Sequence, residues 1–257
     1  MNKYIFCLIA TLIAISCSSP KTQVEIIPIQ DNPSPRLMSR ALFSEAPDSL
    51  ISALGLEDGI PSSVCAFLVT VQDKQILFDA ANGAPDSRLM PVLDSCGTSA
   101  DDIDFIFITH LHGDHIGGLM KGDETAFPNA ELYINEAEYN AWMDMPQEQN
   151  ARIRTIAQAY GTRLRTFAVG ETLPCGIEAI EAYGHTPGHT VYKTGDILIV
   201  GDIMHGVALQ FEHPQYNARF DMDQTKASES RRKILRLFNE SALTMYGMHF
   251  PAPYFLK

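Results

Sequence analysis

The stretch IDFIFITHLHGDHIGG, residues 103–118, joins an apolar run to a dense group of histidines. The run IDFIFIT has the length of a buried strand, and three of the chain's eight histidines plus an aspartate follow within six residues. Positions 110, 112 and 114 cannot share a helix face, because that requires a spacing of three or four residues. They can converge in a loop that leaves a strand and turns into a helix, and the glycines of the motif give such a loop its backbone freedom. The stretch therefore predicts a strand, a histidine-rich loop and a helix.

The side chains of this loop are the kind that bind a divalent metal ion. Imidazole and carboxylate groups are natural ligands of borderline divalent ions. Similar side chains occur in the loop GHTPGHT, after the apolar run ILIVG and after LTMYGM, and α/β folds build their sites where strands emerge from a sheet. The candidate metal ligands are His110, His112, Asp114, His115, His189, Asp202 and His249.

Predicted strands and helices alternate along the chain. VCAFLVTV and QILFDA flank the polar turn QDK and predict a hairpin. ELYI predicts a strand, after which Asn135 caps one helix; Pro146 opens a second helix, which Gly161 closes. LRTFAV, IEAIEAY, DILIVGD and LTMYGM predict further strands, and residues 223–238 show helical spacing. This order indicates an α/β fold in a single domain.

The charge balance excludes one class of partner. The 257-residue chain has a formal net charge of -12, whereas a surface that follows nucleic-acid phosphates needs clustered lysine and arginine. One short basic run, Arg231 to Lys233, falls in the last predicted helix, and we interpret it as a solvated face. We therefore expect a small-molecule substrate and no nucleic acid. The cysteines beyond residue 17 are widely spaced and form neither a disulfide framework nor a CxxC metal site.

The first residues are typical of an export signal. Lys3 precedes an apolar stretch of twelve residues, 4–15, which is too short to span a bilayer but suits a signal-peptide core. The box AISC resembles a bacterial lipoprotein cleavage site, in which Cys17 is lipidated; an ordinary secretory signal is the alternative. We expect a signal peptide (1–16), a tether and extended arm (17–36), and a folded α/β domain (37–257). The protein would then be exported and membrane-anchored, on the periplasmic or cell-surface side.

The motifs HLHGDH, TPGHT, the GD at Asp202 and the late His249 resemble, in this order, those of the metallo-β-lactamase superfamily. The resemblance implies an αββα sandwich with two divalent metal ions, zinc first, with manganese, iron or cobalt also compatible. Asp79 matches an aspartate that orients the metal loop in the family. By position, one ion would be held by His110, His112 and His189, the other by Asp114, His115 and His249, with Asp202 bridging them.

The same resemblance implies a hydrolase that needs no organic cofactor. A hydroxide bridging the two ions would attack a lactone or ester carbonyl, and Asp114 would accept its proton. The segment after Asp202 resembles the branch of methyl parathion hydrolase and N-acyl homoserine lactonases, in which His205 replaces a tyrosine that assists the leaving group. The predicted catalytic residues are therefore Asp114 and His205. Phosphotriester hydrolysis, β-lactam hydrolysis, a redox role and a tethered metal-binding protein without catalysis remain alternatives.

The remaining histidines and aromatic residues give weaker indications. His185 and His213 have no support from a motif, so we interpret them as structural or surface residues. Phe211, Phe250 and Phe255 could form an apolar wall of the pocket, although aromatic residues at such positions more often pack in a core.

Overall fold

The structure, a computed structural model, describes residues 24–257. The predicted signal peptide and the predicted lipidation site at Cys17 lie outside the described residues. Within residues 24–257, no helix is both long and apolar enough to cross a membrane.

Short strands and helices alternate through the described chain. In chain order, the strands are β1 (Val24–Gln30), β2 (Arg36–Met38), β3 (Ile60–Ser62), β4 (Cys65–Val71), β5 (Lys74–Phe78), β6 (Phe105–Ile108), β7 (Met120–Lys121), β8 (Glu124–Thr125), β9 (Glu131–Asn135), β10 (Leu164–Phe167), β11 (Glu178–Glu181), β12 (Thr190–Thr194), β13 (Ile197–Ile199), β14 (Thr244–Tyr246) and β15 (Phe255–Leu256). The α-helices are α1 (Asp48–Ala53), α2 (Leu89–Ser95), α3 (Gly113–Ile116), α4 (Glu136–Met143), α5 (Gln147–Tyr160), α6 (Val207–Gln210) and α7 (Gln224–Asn239).

Two sheets form the centre of the fold. One has the strand order β1-β4-β5-β6-β9-β10 and the other the order β11-β12-β13-β14-β15. Aromatic residues fill the space between them: the rings of Phe67 and Tyr246 lie 5.7 Å apart, and those of Phe78 and Tyr192 lie 5.4 Å apart. Helices α2 and α5 cover the outer face of the first sheet, and α7 covers that of the second. The layers are therefore αββα, as the sequence predicts.

The predicted elements are found where the sequence placed them. The β4–β5 hairpin turns at Gln72 and Asp73, whose φ angles of 53° and 59° are typical of a type I′ turn. Asn135 caps α4 by accepting a hydrogen bond from the backbone N–H of Ala137. Pro146 directly precedes α5, which ends at Gly161 with a φ of 53°.

The extended arm is part of the first sheet. Strand β1 pairs antiparallel with β4 from Val24–Val71 to Gln30–Cys65, and Ile29 is fully buried. The packed domain therefore begins before the expected boundary at residue 37 and already includes residue 24. Pro28 does not prevent this pairing, because β1 is an edge strand and one of its sides needs no backbone donor.

The basic run on α7 is only partly solvated. Arg232 and Lys233 are exposed, as predicted, but Arg231 is one of the largest fully buried side chains in the described part of the chain. The interpretation of Arg231 as part of a solvated face is wrong, because the guanidinium binds backbone carbonyls beneath the helix.

The loops that carry the candidate metal ligands lie at one edge of the sandwich. Strands β5, β6 and β9 are parallel, so the segments after them emerge at the same edge. In the second sheet β13 and β14 are parallel and β12 is antiparallel to β13. The loop before β12 therefore lies at the same end as the segments that follow β13 and β14.

Candidate metal centre

The histidine-rich loop follows β6 and turns directly into α3, as predicted. His112 is the N-cap of this helix, and the backbone N–H of His115 donates to the carbonyl of His112. Gly117 allows the loop to pack closely, because a Cβ there would lie 1.9 Å from the carbonyl oxygen of Asn82.

Asp79, at the end of β5, fixes the orientation of this loop. Its carboxylate accepts hydrogen bonds from the backbone N–H and the hydroxyl of Thr109, each 2.8 Å long. The Nδ1 of His115 also lies 2.8 Å from Asp79 Oδ2, which leaves Nε2 free to face the site. A carboxylate behind an imidazole sets the tautomer of a metal-binding histidine in this way.

Three histidines form what we call the first cluster: His110, His112 and His185. His112 Nδ1 lies 3.0 Å from both His110 Nε2 and His185 Nε2, and the latter two atoms are 3.1 Å apart. The family resemblance implies His189 at this position, and the sequence alone predicts a structural or surface role for His185. Instead, His189 Nε2 accepts a 3.0 Å hydrogen bond from the backbone N–H of Asp202, so its lone pair is already used. The structure replaces His189 with His185.

The second cluster consists of Asp114, His115 and His249. Asp114 Oδ2 lies 3.5 Å from His249 Nε2, and Asp114 Oδ1 lies 4.0 Å from His115 Nε2. His249 is oriented by its Nδ1–H, which donates a 2.8 Å hydrogen bond to the carbonyl of Ser63. These three residues come together as the sequence predicts.

Asp202 lies between the two clusters. Its Oδ1 is 3.1 Å from His115 Nε2, and its Oδ2 is 3.2 Å from His249 Nε2 and 3.4 Å from His185 Nε2. Burial opposes the charged carboxylate, but the surrounding imidazoles, those of His249 and His115 first, hold the pKa of Asp202 well below its ordinary value. A buried, ionised carboxylate that touches both clusters is placed to bridge two cations.

The donor set fits two divalent metal ions. Burial lowers the pKa of His110 well below its ordinary value, which favours the neutral imidazole that binds a metal ion. His115 Nε2 and Asp202 Oδ1 are buried and lie 3.1 Å apart, but neither has the geometry of a hydrogen bond with any described residue. Buried polar atoms normally have partners, and atoms of this type that converge without one are what a divalent ion would satisfy.

A cavity of about 270 Å³ opens over these groups. His205 lies in its wall, with Nε2 3.1 Å from Asp202 Oδ2 and its ring 5.4 Å from that of Phe220. Gln210 fixes this turn by accepting the backbone N–H of His205 at 2.8 Å. The lining residues are Arg36, Met38, His112, Gly113, Asp114, Asp202, His205, Phe220 and His249.

The aromatic wall suggested by the sequence is absent from this cavity. Phe250 is buried in the second sheet's outer core, Phe211 packs against Phe238, and Phe255 packs against Tyr246. His213, in contrast, lies beside Tyr216, in keeping with its interpretation as a structural or surface residue.

The cavity is instead lined by apolar and basic side chains that the sequence did not predict there. Phe220 is 45% exposed beside His205, and β2 contributes Arg36 and Met38. Phe220 could have been predicted as a pocket residue, because it is an aromatic residue in the segment after Asp202. The three-residue strand β2 has no pattern that would place its side chains at the site.

Comparison with known proteins agrees with this architecture. The sequence profile of the Metallo-beta-lactamase superfamily matches residues 59–249, and the chain belongs to this superfamily. A crystal structure of hydrolase AbOPH in the beta lactamase superfamily is similar at 30% identity and a TM-score of 0.79, covering 93% of this chain and 90% of that one.

Two further similar proteins are lactonases. AidC, described as a dizinc quorum-quenching lactonase in complex with a product, is 25% identical with a TM-score of 0.82, over 91% of this chain and 90% of that one. An N-acyl homoserine lactonase from Bacillus sp is 26% identical over 173 residues, which are 63% of this chain and 62% of the relative. The chain thus spans somewhat less than two thirds of the length of this relative.

Proposed function

We propose that the protein is a two-metal hydrolase that opens lactone rings, with N-acyl homoserine lactones as the substrate class. The observation that carries this proposal is the buried carboxylate of Asp202, which contacts His115 and His249 of the second cluster and His185 of the first. The similarity to a dizinc lactonase over 91% of the chain supports it.

The two clusters define the proposed ligands. His110, His112 and His185 would hold one ion, Asp114, His115 and His249 the other, and Asp202 would bridge them. Nitrogen and oxygen donors without sulfur suit zinc, and also manganese, iron or cobalt. When bound, the two ions supply a water-derived nucleophile at neutral pH and polarise the substrate carbonyl.

The surrounding residues would position the substrate and move protons. Asp114 is partly exposed to the cavity, so its free carboxylate oxygen can accept the proton of the attacking water. The Nε2 of His205, which lies beside Asp202, can donate a hydrogen bond to the alkoxide that leaves when the ring opens, and the proton accepted by Asp114 can return to that alkoxide. Phe220, packed against the His205 ring, limits the access of water to that alkoxide.

The same arrangement suits a tetrahedral phosphoryl centre, so phosphotriester hydrolysis remains the alternative reaction, ahead of β-lactam hydrolysis. A tethered metal-binding protein without catalysis is the alternative outside enzymes. The open cavity beside Asp114 and His205 favours the enzyme, because a storage or structural site is normally closed by protein ligands.

The test is acid release, followed by pH-stat, from zinc- or manganese-loaded protein given lactones of short and long acyl chains, a phosphotriester and a β-lactam. Asp202→Asn is the inactive variant, and Asp196→Asn, at an exposed turn, is the matched control. Lactone turnover that is lost only in Asp202→Asn supports the proposal. Turnover of the phosphotriester or β-lactam alone, with both ions bound, would replace the lactone with that substrate.

We also propose that Cys17 carries a lipid that anchors the protein on the outer side of the membrane. The support is the AISC box after a twelve-residue apolar stretch. Metabolic labelling with a fatty acid, followed by cell fractionation, tests it. Label and membrane association that are both lost in Cys17→Ser are expected, and an unlabelled, fully soluble wild-type protein would contradict the anchor.

A further inference from the structure

Arg231 is a buried arginine on the inner face of α7. Its guanidinium donates hydrogen bonds to the backbone carbonyls of Ile203 at 2.6 Å, Pro214 at 2.8 Å and Tyr216 at 3.3 Å. All three carbonyls belong to the segment that connects β13 to α7 and carries His205. A single side chain of the helix thus holds the beginning and the middle of this segment together.

Arg231 Nη1 also donates to Asn217 Oδ1 at 3.3 Å, and the last contact of Arg231 leads to the metal centre. Its Nη2 donates to Asp221 Oδ2 at 3.1 Å, and Asp221 Oδ1 accepts from the Nδ1–H of His185 at 2.9 Å. Both side chains of the Arg231–Asp221 pair are at most 1% exposed. Because Nδ1 faces Asp221, the Nε2 of His185 faces His110 and His112 in the first cluster.

We propose that Arg231 is a positioning residue for the first cluster. It holds the Asp221 carboxylate against His185, and it holds the segment with His205 in the wall of the cavity. This inference rests on the metal-binding part of the proposed function. One residue of α7 therefore couples the orientation of a metal ligand to the shape of the substrate pocket.

The geometry separates this role from that of an ordinary buried ion pair. A buried pair that serves only stability needs no third partner, and removing it alters folding without altering a distant site. Here the second oxygen of the carboxylate is committed to His185. Carboxylates behind metal-binding imidazoles affect metal affinity, and losing one typically weakens binding about 10–100-fold.

The test compares Arg231→Lys and Asp221→Asn with Arg232→Lys. Lysine keeps the positive charge but cannot reproduce the planar fork that reaches several acceptors. The neighbouring Arg232 is exposed and donates a hydrogen bond to Ser228 Oγ, which makes it the matched control. Zinc affinity is measured by chelator competition on metal-free protein, and the visible spectrum is recorded on cobalt-loaded protein.

We expect Arg231→Lys and Asp221→Asn to weaken the binding of one of the two zinc ions about 10–100-fold and to alter the cobalt spectrum. The other ion should keep its affinity, and Arg232→Lys should match the wild type in both measurements. If Arg231→Lys does not fold, Asp221→Asn, which keeps the shape of the side chain, decides the question alone.

Two results would overturn the inference, and they are distinguishable. If both variants lower the thermal midpoint but keep the zinc affinities and the cobalt spectrum of the wild type, Arg231 and Asp221 are structural only. If the wild-type protein itself binds fewer than two zinc ions, the proposed function fails first, and the inference falls with it.

Discussion

The two clusters have similar side chains but different supports. In the first cluster, His185 is held by Asp221, a side chain 36 residues away that is itself held by Arg231. In the second cluster, His115 is held by Asp79 at the end of β5, and His249 is held by the backbone carbonyl of Ser63.

This difference decides how each cluster responds to mutation. A backbone carbonyl cannot be removed by a side-chain substitution, whereas a buried carboxylate can. The first cluster also depends on Glu138, a buried residue of α4 that accepts hydrogen bonds from the backbone N–H groups of Leu111 and Gly188. His185 and His115 should therefore be sensitive to the loss of a supporting carboxylate, whereas no side-chain substitution removes the support of His249.

The largest effect is expected from Asp202→Asn, because this residue contacts both clusters. An amide cannot bridge two cations as a charged carboxylate does, and losing several kcal/mol of transition-state stabilisation lowers kcat about 10³-fold. Metal analysis by mass spectrometry should show the loss of bound metal together with the loss of lactone turnover. A variant that keeps two ions and wild-type kcat would contradict the bridging role.

Replacing the two histidines of the loop GHTPGHT one at a time tests which of them belongs to the first cluster. His185→Ala should bind one metal ion fewer and leave the second cluster occupied, because its Nε2 belongs to the first cluster. His189→Ala should still bind two ions with lower affinity, because it removes only the acceptor of the Asp202 N–H. The reverse outcome, measured by equilibrium dialysis, would restore His189 as the ligand.

Glu138→Gln is expected to affect stability and the first cluster together. Its carboxylate also accepts hydrogen bonds from Thr186 Oγ1 at 2.8 Å and Trp142 Nε1 at 2.7 Å. The amide of glutamine would face donors, and a buried donor left unpaired costs about 1–3 kcal/mol. Urea denaturation should show a loss of about 3 kcal/mol in the free energy of unfolding for two such donors.

The matched control for this variant is Glu136→Gln, on the exposed side of the same helix. It should leave the free energy of unfolding within about 0.5 kcal/mol of the wild type. Equal stability losses in the two variants would show that Glu138 does not tie the loops together.

The smallest expected effect concerns the backbone around Ser63, whose carbonyl orients His249 in the second cluster. Cys65 Sγ lies 3.1 Å from Ser63 Oγ, and burial raises the pKa of this thiol to about 12. Only about 10⁻⁴ of it is thiolate at pH 8, so alkylation of Cys65, followed by peptide mass mapping, should be far slower than that of the exposed Cys96. Equal rates would show that the backbone around Ser63 opens readily.

The contiguous part of the site was predictable, because HLHGDH places four candidate ligands after one buried strand. The choice between His185 and His189 was not, since both lie in one loop and both are buried. The selection comes from a long-range contact: Gly201 approaches so closely that a Cβ there would lie 2.6 Å from His189 Nε2. A single sequence does not contain that contact.

The fold was predictable for a related reason. The hairpin and the helix caps follow from local patterns, as at Gln72, Asn135 and Gly161, whereas the αββα layers follow from the family resemblance. The buried Arg231 was missed because its two basic neighbours on α7 are exposed, and only the segment packed beneath the helix explains its burial.

Zinc titration of metal-free protein, with ring opening of N-hexanoyl homoserine lactone followed by a pH indicator, tests the central claim most directly. We predict that activity rises until two zinc ions are bound per chain and then stays constant. His185→Ala, given the same zinc, should fail to reach that activity. Full activity with a single bound ion, or two bound ions without ring opening, would contradict the account.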